Sequence, residues 1–433
     1  MSETKLTIIT TSHHRLASFF RIVLLMLAGE SVFILPFLLA RIFRPTFLAV
    51  FDITNFELGS LYSIYGVIAL ISYLYGGALA DRYPPRKLMA SALLMTAAGG
   101  IVLAQFPSFF TLQLLYGFWG FSTIFLFWAA MIKATRNWGG LNQQGRAFGY
   151  LEGGRGIVAA SIGAAGVLIF TLLIPEDVVS AQFEERQSAF RWVIWVTSAS
   201  VAIVGTLVYL FLKEGESEEA EEDVLKADTS WETILRVMQL RSVRLLILIV
   251  LCAYCGYKVT DILSLYAAEV MNFDEVDAAK VGSFQMYLRP IVCISIGFFA
   301  DRTSSALWLV RGFVMLMLGA LLFASGYIVA PLNSLFILSI IITGVGTYGL
   351  RTLYFAAVKE GHIPYAVTGT AVGIISVVGY TPDIFMGPVM GILLDNNPGL
   401  PGHQQVFLLL AAFATVGTFA SIRFKNFIQK NES

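Results

Sequence analysis

The sequence predicts an all-α membrane protein: twelve transmembrane helices arranged as two six-helix pseudo-repeats. Three observations carry that expectation. Only 13% of the 433 residues are charged and 57% are hydrophobic, with a mean hydropathy of +0.74, whereas soluble chains carry about 25% charged residues. The apolar residues fall into twelve long runs, each close to the roughly 20 residues that a helix needs to cross a bilayer. Short stretches in the first half also recur in the second. Water cannot wet a surface of this composition, and in lipid each helix must satisfy its own backbone.

The elements follow in order. Residues 1–16 are polar, with Lys5, His13, His14 and Arg15, and no small-residue cleavage site follows a short apolar core, so the first run reads as a retained span rather than a signal. The runs lie near 17–42, 57–80, 87–106, 109–134, 145–174 and 190–212, then 243–268, 277–300, 306–329, 333–357, 366–394 and 404–424. Between the sixth and seventh stands one long polar stretch, Lys213 to Arg241. It holds Glu214, Glu216, Glu218, Glu219, Glu221, Glu222 and Asp223, and such a run reads as a solvated linker. The expected organisation is an N-terminal bundle over 1–212, an acidic linker over 213–242 and a C-terminal bundle over 243–433. With the N-terminus inside, one side collects sixteen Lys and Arg residues, from Lys5 through Arg82, Arg86 and Lys87 to Lys430; the other keeps only Arg41, Arg44, Arg186, Arg191 and Lys280. That asymmetry places both termini and the linker in the cytoplasm and the chain in the plasma (cell inner) membrane.

Several chemistries are excluded. Lys+Arg and Asp+Glu balance at 29 each, so no basic excess points to nucleic acid. Cys252-x-x-Cys255 and Cys293 lie in apolar stretches, where they read as small helix residues. Gly344-Val345-Gly346-Thr347-Tyr348-Gly349 matches a dinucleotide pattern but sits inside an apolar helix with no preceding strand. No Walker A sequence, H-E-x-x-H or paired metal-ligand spacing is present in the sequence. The expectation is therefore no catalytic residue, no cofactor, no metal and no enzyme activity.

The internal repeat is specific. Gly77-Ala78-Leu79-Ala80-Asp81-Arg82 closes the second run, and Gly297-Phe298-Phe299-Ala300-Asp301-Arg302 closes the eighth. Gly145-Arg146-Ala147-Phe148-Gly149 opens the fifth, and Gly369-Thr370-Ala371-Val372-Gly373 opens the eleventh. Two six-helix halves as parallel repeats is a transporter plan, with the substrate site near midplane between them. Gly77-x-x-x-Asp81-Arg82-x-x-x-Arg86-Lys87 resembles the loop 2–3 signature of the major facilitator superfamily, with Pro84 and Pro85 where the family has glycine and arginine. The resemblance implies alternating access, and a cytoplasmic gate built from Gly77, Asp81, Arg82, Arg86 and Lys87, echoed by Gly297, Asp301 and Arg302. Thr135-Arg136-Asn137-Trp138 followed by Gly145-Arg146 is similar to the loop after helix 4 in carriers of sugar phosphates and organic anions. Those carriers hold phosphate with arginines in helices 1 and 7; here mid-helix 1 carries Glu30, and the helix 7 position falls near Gly256 and Lys258.

Ionisable residues at membrane depth are costly and mark function by default. Near mid-span stand Glu30, Glu152, Arg155, Lys258, Asp261, Arg289, Arg351 and Asp383. Glu152 with Arg155, and Lys258 with Asp261, are spaced to pair on one helical face. The four histidines fall in the tail or loops, so a carboxylate must carry any coupled proton. Glu30, with no cation within four residues on its own helix, leads those candidates, followed by Glu152 and Asp383. Arg155, Lys258, Asp261, Arg289 and Arg351 are candidates for holding cargo, with Tyr116, Trp119, Trp128 and Tyr257 as aromatic walls. The expected function is a monomeric secondary transporter of a small polar solute, an organic anion, coupled to protons. The rivals are a neutral sugar or nucleoside carrier, and a transporter-like membrane sensor acting through the acidic linker.

Overall fold

A computed structural model describes residues 18–139, 144–174, 182–212, 231–354, 356–363 and 367–432. Most of the acidic linker, over 213–230, lies outside the described residues. The spans are α1 (Ser18–Ser31 and Ile34–Ile42, bent by 41°), α2 (Asn55–Arg82), α3 (Pro85–Leu103), α4 (Phe109–Gly139), α5 (Gln144–Leu173) and α6 (Phe183–Phe211). In the second half they are α7 (Arg241–Glu269), α8 (Glu275–Asp301), α9 (Ser305–Ala324), α10 (Asn333–Leu353), α11 (Thr368–Gly379 and Pro382–Asn396) and α12 (Leu400–Glu432). Among the described residues, eleven helices are long and apolar enough to cross a membrane, and bent α1 makes the twelfth.

Local chemistry sets the ends. Thr54 and Glu57 close a capping box on α2, with the Glu57 amide donating to Thr54 Oγ1 at 3.1 Å and the Thr54 amide to Glu57 Oε2 at 2.8 Å. Pro84 and Pro85 stop α2 and start α3, the second in the first turn of α3 where its missing N–H costs nothing. Hydropathy places the start of the sixth span near 190, yet α6 begins at Phe183. Its first turn carries Glu184 and Glu185, which favour a helix N-terminus while lowering hydropathy. The two arms of α1 meet at Val32 and Phe33, one turn before Pro36, which lacks an N–H and crowds that preceding turn. The chain answers with a wide turn over Ile34–Leu38, in which the Leu38 amide reaches back to Phe33 O at 3.3 Å.

Two apolar cores form. One is drawn from α1–α6, joined by Val276, Ala279 and Met286 of α8; the other is drawn from α7–α12. The halves meet along two main seams, α2 against α11 and α5 against α8. Small residues line both, as expected where lipid supplies no hydrophobic drive and close packing must hold helices together. Gly59 lies against Gly387, and Gly391 against Asn55 and Phe56, so closely that a Cβ on either glycine would overlap backbone. Gly156 packs on Arg289 and Pro290, and Gly163 on Ser283.

The same faces part farther along. Gly77 is about five turns from Gly59 on unbroken α2 and so shares its face, and Gly373 lies on the arm of α11 before the break, Gly391 on the arm after it. Yet a Cβ at Gly77, Gly149, Gly297 or Gly373 would meet nothing within 4 Å. The bundle is therefore sealed at the end where α2 and α8 begin and splayed at the end where they finish.

Candidate functional site

The helix breaks position the polar residues. Glu30 stands just before the break of α1. Lys258 stands just before, and Asp261 within, a tight 3₁₀ turn, Thr260–Ile262, inside α7. Asp383 follows Pro382 at the break of α11. Broken helices free backbone groups and let charged side chains turn inward, a recurring feature of transporter sites.

Two ion networks result. In the first, Arg155 Nε donates to Glu30 Oε2 at 3.2 Å and Nη1 to Glu152 Oε1 at 2.6 Å. Arg289 of α8 reaches across the seam, Nη1 to Glu30 Oε2 at 3.4 Å and Nη2 to Glu152 Oε2 at 3.1 Å. Glu30, Arg155 and Arg289 are buried, whereas the Glu152 side chain is 45% exposed. It sits between Gly149 and Gly153, both of which face open space. Phe33 and Trp128 lie beside Arg155, with ring centroids 5.6 and 5.8 Å from its guanidinium carbon.

In the second network, Arg41 Nε meets Asp261 Oδ1 at 2.5 Å, and its Nη1 donates to the Tyr257 hydroxyl at 2.9 Å. Lys258 Nζ bridges Asp261 and Asp383, at 3.3 Å from each. The Tyr254 hydroxyl donates to Asp383 Oδ2 at 3.0 Å. Lys258 also lies 4.9 Å from the Phe37 ring and 4.8 Å from that of Tyr62.

Each network is neutral: two guanidiniums offset two carboxylates in the first, and Arg41 and Lys258 offset Asp261 and Asp383 in the second. Arg351 of α10 is left over. Its guanidinium carbon lies 3.9 Å from the Tyr257 ring centroid, opposed by no carboxylate among its hydrogen-bonding or ion-pair contacts in the described residues. Its Nη1 is buried with no hydrogen-bond partner. A cation–π contact holds the guanidinium and leaves a donor edge for a bidentate anion.

The sequence-derived candidates divide accordingly. Glu30, Glu152, Arg155 and Arg289 come together, as do Lys258, Asp261, Asp383 and Tyr257, with Arg351 beside them. Glu30 has no cation within four residues on its own helix, but Arg155 and Arg289 from α5 and α8 surround it, so its expected isolation is corrected by contacts distant in sequence. Trp128 faces Arg155. Tyr116 and Trp119 are fully buried in the first core instead, Trp119 Nε1 donating to Thr96 O at 3.2 Å and Tyr116 packing on Tyr62 at 5.9 Å. At the splayed end, Arg82 and Lys87 are exposed, and Arg86 and Arg302 lie over Tyr209 and Phe298 at 5.9 and 3.8 Å. The side chains of Asp81 and Asp301 lie outside the described residues. Sequence reasoning missed Arg41, taking it for a loop charge; its place one residue before the end of an apolar run was the available signal.

Broken helices, self-neutralised charges at membrane depth and seams closed at one end define a membrane transporter of small solutes. The chain belongs to the major facilitator superfamily: residues 20–388 match the model described by that name. Relatives include the inner membrane proteins YihN of Escherichia coli (strain K12), 26% identical over 413 residues and covering 92% of this chain and 93% of its own, and YqcE of the same organism, 25% identical over 377 residues and covering 86% and 87%. Among solved structures, a bacterial homologue of the human lysosomal transporter Spinster, inward-facing and unoccupied, superposes with a TM-score of 0.74 at 14% identity, covering 96% of this chain and 98% of that one. The nucleoside transporter NupG superposes at 0.69 and 17% identity, covering 94% and 98%. At these identities the structures establish the fold alone.

Proposed function

We propose that this chain is a proton-coupled carrier of a small organic anion, working by alternating access in the inner membrane as a monomer. Arg351 carries the reading: every other ionisable group in the two networks makes an ion pair with an opposite charge, whereas the Arg351 guanidinium lies against the Tyr257 ring and feels Glu152 only from beyond ion-pair distance. An anion bound there would bring the centre to neutrality. The splayed end holds the Arg82–Lys87 loop and its basic counterparts, so the positive-inside rule makes this an inward-open state.

Coupling follows from the first network. While Glu152 is ionised, its two oxygens occupy Arg155 and Arg289. A proton on Glu152 removes one negative charge and frees guanidinium donors for cargo, so one proton accompanies each negative charge taken up. Glu152 is the carboxylate of the pair that water reaches, its side chain being 45% exposed, and Glu30 holds the two arginines in place.

A neutral nucleoside or sugar is the second reading, supported by the nucleoside carrier among the structural neighbours and by the tyrosines Tyr254, Tyr257, Tyr354 and Tyr380 around Arg351. A thermal-shift panel of neutral sugars, nucleosides, carboxylates, sulfonates and phosphates separates the two. A bound solute at 100 times its Kd stabilises the native state by about 2.7 kcal/mol. Stabilisation by anions alone, stronger at acidic pH, supports the coupled anion carrier; stabilisation by neutral solutes alone overturns it.

A further inference from the structure

We propose that Asp395, in the last turn of α11, is the latch of the sealed end and sets the balance between the two access states. The carboxylate crosses the seam to the first turn of α2. Oδ1 accepts from the Asn55 amide at 3.1 Å and from Asn55 Nδ2 at 3.1 Å, and Oδ2 accepts from the Phe56 amide at 2.7 Å. Buried Arg44 extends the chain, donating from Nε and Nη2 to Asn55 Oδ1 at 3.0 and 2.9 Å. Its positive charge therefore reaches Asp395 through one amide.

The start of α2 does not need this carboxylate in order to be a helix. Thr54 and Glu57 already form a capping box within the same turn. The amides of Asn55 and Phe56 are still open donors at the positive end of the helix, and the group that takes them comes from the opposite half of the molecule. A second cap supplied across the seam contributes to the closed seam, not to the helix. The seam itself is glycine against backbone, at Gly59 with Gly387 and Gly391 with Phe56. It packs closely but has no hydrophobic drive in lipid. Polar bonds at its end are what bias it shut.

Glu275 makes a smaller latch on the other seam, accepting from Thr46 Oγ1 at 3.1 Å and pairing with Arg186 Nη1 at 3.2 Å. Arg186 is 30% exposed there, and such pairs contribute little. Asp395 is therefore the stronger latch, and opening the sealed end requires its release.

This proposal rests on the alternating-access reading, and the test separates the two. In a chain freed of Cys252, Cys255 and Cys293, a thiol reporter is placed by Ser63→Cys, in the sealed seam where the Ser63 hydroxyl donates to Ile384 O, or by Gly77→Cys, at the open end. Labelling by a soluble maleimide is followed in lipid nanodiscs. Asp395→Asn should speed labelling of the first reporter about tenfold, equivalent to about 1.4 kcal/mol, and slow that of the second. Asp395→Ser, whose single shorter hydroxyl carries no charge and cannot reach both amides, should shift both in the same direction at least as far, and it serves as the reading if the asparagine variant does not accumulate. Unchanged rates at both reporters in a folded variant, while bound solute still shifts them, overturn the latch alone. A seam reporter that never reacts, in any variant or with any solute, while flux continues, overturns alternating access instead.

Discussion

Glu152→Gln tests the coupling network most directly. Glu152 holds Arg155 at 2.6 Å and Arg289 at 3.1 Å, and in the coupled reading a proton must neutralise it before an anion competes for either guanidinium. Glutamine keeps the shape and one acceptor oxygen but never carries the charge, so the variant stands for the protonated state at every pH. A hydrogen bond to a charged group contributes about 1.5–3 kcal/mol. Because the Glu152 side chain is 45% exposed, water screens part of that, and the lower figure applies. About 1.5 kcal/mol returned to a competing anion is roughly a tenfold gain in affinity. The sign follows from linkage: if proton and anion bind together, each tightens the other, so wild-type affinity rises as pH falls. In the variant the affinity should be flat with pH and equal to the acidic wild-type value. Calorimetry in nanodiscs at mildly acidic and mildly alkaline pH measures this, and proteoliposomes should show exchange retained with uphill accumulation lost. A variant that keeps the wild-type pH slope, or still accumulates solute against a gradient, refutes the coupling assignment.

Three further outcomes are expected. Arg351→Met should weaken anion binding by about 1.5–3 kcal/mol, the range for a lost charged hydrogen bond, without changing the affinity for a neutral sugar; equal losses for both would make Arg351 a scaffold residue. Glu30→Gln leaves Arg155 and Arg289 short of a buried counter-charge, a change that typically costs about 3–5 kcal/mol, so the melting temperature should fall and proton-driven uptake should cease; full accumulation by a stably folded variant would remove Glu30 from the mechanism. Gly387→Leu places side-chain atoms where the Gly59 backbone lies, and should lower thermal stability more than Gly373→Leu, which enters open space; comparing the two melting curves checks the polarity of the seam.

The spans were legible because a bilayer imposes a length and a hydropathy on every crossing segment, and the repeat was legible because both halves preserve Gly-x-x-x-Asp-Arg at Gly77 and Gly297. The intrahelical pairs Glu152–Arg155 and Lys258–Asp261 were legible from spacing alone, since three residues apart is contact distance on any helix. What spacing could not reveal was Arg289 on Glu30, 259 positions away, or Arg41 on Asp261, 220 positions away. Those contacts depend on which helix faces which, and on breaks just ahead of Pro36 and Pro382 that redirect side chains. Tyr116 and Trp119 show the converse: aromatic residues in a span carry no mark of which face they occupy, and these two face the first core.

The placement of the cross-half pairs bears on how the molecule can change state. Arg289 brings a cation from α8 to the carboxylates of α1 and α5, while Arg41 brings a cation from α1 to a carboxylate of α7. Breaking a buried pair without replacement typically costs about 3–5 kcal/mol, enough to trap a carrier in one state. Arg41 and Asp261 escape that cost in a specific way. Asp261 keeps Lys258, its neighbour on α7, at 3.3 Å, so it is not stranded when the seam opens. Arg41 lies on the arm of α1 nearest the sealed end, where water would enter as that end opens and would solvate the released guanidinium. The pair is thus tight when dry and replaceable when wet. Glu30 and Glu152 likewise keep Arg155, on the same half, when Arg289 withdraws. Glu30, Glu152 and Asp261 each have a cation on their own half and one lent from the other, and Asp383 is paired with Lys258 within its own half, an arrangement that lets the halves separate without abandoning a buried charge.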